Sequence, residues 1–155
     1  MSVYIPAPTG YVKALKDLVD CLKPMRCYTK YLAGSVDAGG EATVLELSGR
    51  GVIVLVNISL AGASIDAQHS RLVVESDGET VEHVSPYEVK EVQWADFGRW
   101  TPRAFIHKWY EGDNIFSVCL ELNHHFKQYA KLKIRNGDSA NATNYRVLVM
   151  YGLEV

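Results

Sequence analysis

From residue 44 onward the apolar residues recur with a period of two, and this regularity constrains the fold more than any motif does. Successive side chains of a strand point to opposite faces, so a sustained period of two describes sheet with a buried face. Leu45 and Leu47 alternate with Val44, Glu46 and Ser48, and "SGRG" then turns the chain. "VIVLVNISL" is apolar on both faces, as a central strand is. Asp77-Gly78 stands between two β-favouring runs, and a two-residue hairpin asks for such residues because both central positions take positive φ.

Further strands are expected near 87–93, 103–110, 114–123, 129–136 and 144–151, with "EGDN" reversing the chain before the third of these. Phe116, Val118, Leu120 and Leu122 share one face. Ala130, Leu132 and Ile134 face inward while Lys131, Lys133 and Arg135 face out, and Tyr145, Val147, Val149 and Tyr151 make a matching inward set. A parallel α/β fold needs helical crossovers, and the pattern contains none. The expectation is all-β: an antiparallel sandwich or jelly roll of about eight strands.

One helix is expected, over 9–23, where Tyr11, Leu15, Leu18 and Leu22 fall on one face. Thr9 caps it and Pro24 stops it. The chain thus divides into an arm with a helix, 1–40, and a sandwich, 41–155. The helix packs on its own domain or docks on a neighbouring subunit through those four residues.

The composition, 48 % hydrophobic and 22 % charged over 155 residues, is that of a folded domain. With 16 basic against 18 acidic residues there is no concentrated positive charge to hold nucleic acid. No run approaches the roughly 20 apolar residues a membrane span needs. "MSVYIPAPTG" has neither the basic nor the apolar part of a secretion signal, so a soluble chain made in the cytoplasm is expected. Cys21, Cys27 and Cys119 form no paired spacing and are expected as thiols. Asn57 and Asn141 head glycosylation sequons that matter only in a secretory pathway.

Reaction chemistry is hard to find. His124 and His125 lie between two strand patterns and are expected in a polar turn; neighbours on an extended chain point apart and rarely share an ion. No nucleophile elbow, Cys/His signature or phosphate loop is present. The Lys131, Lys133 and Arg135 ladder is expected as a solvated face paired with Glu121, contact with phosphate or a sulfated sugar being the alternative. The densest feature is "VQWADFGRWTPRAFIHKWYEGDN", whose Trp94, Phe97, Arg99, Trp100, Trp109 and Tyr110 suit an interface or a sugar-stacking platform. Asp96 with Glu111 or Asp113 lacks a spacing that suggests a glycosidase pair. No catalytic residue, metal ligand or cofactor is expected.

The strands of "NIFSVCLELNHHFKQYAKLKIRNGDSANATNYRVLVMYGLEV", preceded by "GRGVIVLVNISL" and "RLVVESDGETV", resemble those of small jelly-roll virion proteins of phages and other viruses. The resemblance implies a non-enzymatic structural subunit (capsid, decoration, spike or fibre head) that forms symmetric homo-oligomers in a virion. Its expected partners are further copies and other virion proteins. A carbohydrate-binding or receptor-binding module that uses exposed tryptophans on a surface glycan is the alternative.

Overall fold

A computed structural model of the protein describes residues 24–95 and 104–155. The expected helix at 9–23, with Tyr11, Leu15, Leu18 and Leu22, lies outside them. Nine strands are described: β1 (Met25–Val36), β2 (Glu41–Ser48), β3 (Gly51–Gly62), β4 (Arg71–Ser76), β5 (Glu79–Glu82), β6 (Ala104–Tyr110), β7 (Ile115–Phe126), β8 (Tyr129–Arg135) and β9 (Thr143–Glu154). They form two antiparallel sheets, ordered β1-β9-β3-β7-β6 and β2-β8-β4-β5. The pairing is nested: β1 lies with β9, β2 with β8, β3 with β7 and β4 with β5. β6 is added outside β7.

Both sheets feed one core. Val56, Ile58, Leu60, Val118, Leu120, Val147 and Val149 come from the five-stranded sheet, and Leu45, Leu47, Leu72, Val74, Leu132 and Ile134 from the four-stranded one. The alternation on β8 is as the sequence has it, with Ala130, Leu132 and Ile134 buried. "VIVLVNISL" is the middle strand of its sheet. Asp77 and Gly78 take φ of 49° and 88° in the β4–β5 hairpin. The Asp77 carboxylate also accepts from the amides of Lys127 (2.6 Å) and Gln128 (2.8 Å), so one residue shapes its own turn and fastens the β7–β8 turn.

Four expectations need correction. The segment expected as a strand at 87–93 is helix α1 (Pro86–Ala95). Its start is a capping box: Ser85 Oγ accepts from the Glu88 amide at 3.3 Å, and Glu88 Oε2 accepts from the Ser85 amide at 2.9 Å. Pro86 sits at the first helical position, where a missing amide costs nothing. A strand the pattern did not contain, β1, runs along the whole of β9, inside the stretch expected as an arm. His124 and His125 are in β7, not in a turn; the reversal falls after Phe126. The Lys131, Lys133 and Arg135 ladder pairs with Glu46, Glu41, Glu75 and Glu82 across its own sheet, while Glu121 belongs to the other.

Chain that crosses between the sheets is held by polar side chains. Asn136 is buried; its Nδ2 donates to the carbonyls of Val36 (3.3 Å), Asp37 (3.1 Å) and Asn141 (2.8 Å). Its Oδ1 accepts from Ser70 Oγ, Thr143 Oγ1 and the Asp138 amide. Asp138, also buried, accepts from Ser64 Oγ at 2.6 Å and from the amides of Ala140 and Asn141. These donors, led by the Ser64 hydroxyl, hold its carboxyl at about 2.

Two outcomes follow. Leu132→Ala, at a fully buried site on β8, should cost about 2–5 kcal/mol in a denaturant titration without changing the sheet spectrum. The Asp138 carboxyl is depressed in the folded state, so its contribution is complete above the ordinary value of 3.8 and drains away as pH falls towards about 2. Asp138→Asn should therefore lower the unfolding midpoint at neutral pH and flatten its fall over that acid window. An acid limb as steep as that of the unaltered protein would contradict this role.

Candidate functional site

The outer faces of the two sheets are finished differently. On the four-stranded sheet the charges of β8 are matched across the strands. Lys133 Nζ lies 2.7 Å from Glu75 Oε2 and 3.3 Å from Glu41 Oε1, and Arg135 Nη2 lies 3.0 Å from Glu41 Oε2. Arg135 also pairs with Glu82, and Lys131 with Glu46 at 3.5 Å. The Lys133 hydrogen bond holds the Glu75 carboxyl below its ordinary range. Each exposed pair contributes little stability, but the lattice gives a surface that water already satisfies.

Among the described residues the outer face of the five-stranded sheet has no such lattice. Strand register arranges it in cross-strand rows. One row reads Ala33, Arg146, Ser59, Ser117, Lys108 from β1 to β6. Beside it runs Ser35, Asn144, Ala61, Ile115, Tyr110. On the other side lie Tyr31, Leu148, Asn57, Cys119 and Phe105, and beyond them Thr29, Met150, Leu55 and Glu121. Large apolar side chains stand open here: Tyr31 is 61 % exposed, Tyr110 52 %, Met150 43 % and Leu148 37 %.

Small side chains leave the middle of this face hollow. A depression of about 400 Å³ is lined by Ala33, Ser59, Ala61, Lys108, Asn144 and Arg146 among others. Ser59 Oγ in its wall accepts from the buried Ser117 Oγ at 2.8 Å, and Lys108 Nζ rests 4.8 Å from the centre of the Tyr110 ring. Among the described residues neither Lys108 nor Arg146 has an ion-pair partner.

The aromatic stretch is only partly described. Phe97, Arg99 and Trp100 lie outside the described residues, and Trp94 is placed only as backbone near the end of α1. Trp109 and Tyr110 fall on opposite faces of β6. Tyr110 is on the open face, whereas Trp109 is half-buried against Phe116, ring centres 4.6 Å apart. Its Nε1 donates to Glu111 Oε1 at 3.0 Å, and Lys90 Nζ sits 4.5 Å from its ring centre. Trp109 is therefore enclosed between the core and a Lys90–Glu111 ion pair.

His124 points between the sheets, with Nε2 2.6 Å from Ser76 Oγ, while His125 is exposed on the opposite face. Burial, the largest influence, lowers the His124 pKa. Among the described residues no group of three or more His, Cys, Asp or Glu is placed to hold a metal ion, and no helix is long and apolar enough to cross a membrane.

The open face escaped the sequence reading. Its signal lay in β9, where Arg146, Leu148 and Met150 alternate with the inward set and two of the three are apolar.

No protein-family model and no curated protein sequence matches the chain. Among solved structures it is similar to the capsid asymmetric unit of cyanophage Pam1, at TM-score 0.46 and 13 % identity over 99 % of this chain and 94 % of that one. It is similar also to the acid-stable capsid of Helicobacter pylori bacteriophage KHP30, at TM-score 0.46 and 10 % identity, covering 85 % and 95 %. A serine protease of Aeromonas sobria matches at TM-score 0.41 and 9 % identity, the alignment covering 90 % of this chain and 29 % of the protease. Two of these three are phage capsid structures.

Proposed function

We propose that the protein is a non-enzymatic structural subunit of a virion, a jelly roll that assembles with further copies of itself into a symmetric oligomer. The observation that carries this reading is the unequal finish of the two sheet faces. One is neutralised pair by pair; the other presents Tyr31, Leu148 and Met150 to water in adjoining rows. Contiguous exposed apolar surface on a small domain marks a contact site.

Nested pairing of β1 with β9, β2 with β8, β3 with β7 and β4 with β5 supports the jelly-roll assignment. Jelly rolls serve as capsid and lectin domains alike, so the fold narrows the choice and the surface decides it. The occupant of the surface is a second copy. The apolar rows run out to β1, the outermost strand of its sheet, where Tyr31 lies beside Leu148. The outer edge of this twelve-residue strand pairs with no other described strand and lies alongside the apolar patch, so one copy meets both demands of another.

Light scattering coupled to size exclusion, over a range of concentrations, tests the reading. A discrete oligomer is expected, and Leu148→Asp with Met150→Asp should shift it to monomer while the sheet spectrum stays unchanged. A monomer at every concentration for the unaltered protein would remove the proposal.

A further inference from the structure

We infer that the hollow on the outer face of the five-stranded sheet is a binding site for a tetrahedral oxyanion, sulfate or phosphate. The inference stands whether or not the neighbouring apolar rows are a subunit contact. It begins with the row Arg146, Ser59, Ser117, Lys108, which crosses four adjacent strands. Three strand spacings separate the two cationic residues, about 14 Å between backbones at ~4.8 Å per strand. Both cationic side chains line the same hollow as Ser59.

The lining is one-sided in its chemistry. Lys108, Arg146, Ser59 and Asn144 all bring N–H or O–H donors, and among the described residues no carboxylate lines the hollow. Ser117 gives its hydroxyl proton to Ser59 Oγ, and Ser59 keeps its own proton to donate to a ligand. A hydroxyl that already accepts one hydrogen bond is a better donor of the next. Lys108 is steadied by the Tyr110 ring, so part of the cost of ordering its side chain is met before a ligand arrives. Donors that come from two sides and from below suit a tetrahedral oxyanion better than a planar carboxylate. The volume, about 400 Å³, falls in the range of small-molecule sites and leaves room beyond the oxyanion for a sugar-sized remainder.

The contrast with the other sheet sharpens the point. There Lys133 and Arg135 are each held by two carboxylates, so a passing anion finds no cation to neutralise. Lys108 and Arg146 have no carboxylate among the described residues, and an anion gains both charges.

Titration calorimetry on the full chain, at low ionic strength, tests the inference with sodium sulfate, sodium phosphate, a sulfated disaccharide and its unsulfated counterpart. Saturable binding of at least one oxyanion is expected, weakened about tenfold or more by Arg146→Ala and by Lys108→Ala. Ser59→Ala should weaken it less, and Lys30→Ala, on the opposite side of β1, should leave it unchanged, all with native sheet spectra. A sulfated disaccharide that binds tenfold or more tighter than the inorganic ions makes the ligand a carried oxyanion, and equal affinity makes it the free ion. No saturable heat from any probe would overturn the inference. So would binding that survives both cation substitutions, or binding of the unsulfated sugar as tight as that of the sulfated one.

Discussion

The last strand carries the architecture. β9 lies between β1 and β3 and pairs with both, so the edge strand reaches the rest of its sheet only through it. Val147 and Val149 point into the shared core from one side of β9, and Arg146, Leu148 and Met150 stand on the open face from the other. One alternating segment therefore supplies packing, sheet continuity and the chemistry of the surface. Because register has a period of two, a slip of one residue along β9 would exchange these sets and expose the valines.

Such a fold must also solve a polar problem. Every passage of the chain from one sheet to the other brings backbone groups close to the core, where an unmet hydrogen bond costs about 1–3 kcal/mol. Asn136 and Asp138 answer it locally by gathering the β1–β2 turn, the segment before β4 and the β8–β9 loop around two side chains. The same loop explains why Gly137 has no side chain: a Cβ there would run into the backbone of His69.

Much of the body was legible because most strands bury one face and their turns carry strong local chemistry. "ESDGET", "EGDN" and "SGRG" each mark a reversal that the structure contains. What escaped did so for physical reasons. β1 is an edge strand whose side chains are mostly exposed, so "MRCYTKYLAGSV" shows no alternation to detect. Helix α1 is short, and its apolar residues imitate a strand; the Ser85-Pro86-Tyr87-Glu88 capping signal outweighs them. His124 reads as a turn residue because it is polar, yet Ser76 on the facing sheet gives its ring a partner and lets the strand run on to Phe126. The open face stayed hidden because it depends on which residues of four strands fall into one row, and register between distant strands is not written in any one of them.

Nested pairing also bears on how such a chain comes to be folded during synthesis. A helical bundle can settle piece by piece as it leaves the ribosome, but here the partner of the earliest described strand is the latest one, more than a hundred residues downstream. Until Thr143–Glu154 emerges, β1 and β3 have nothing between them, and both keep a long unsatisfied edge. Closure is thus deferred until β9 has been made and rests on contacts of high sequence separation, which makes it slow. During that interval neighbouring nascent chains on one message present each other with the same unfilled gap, and a strand borrowed across copies is the error this topology most invites.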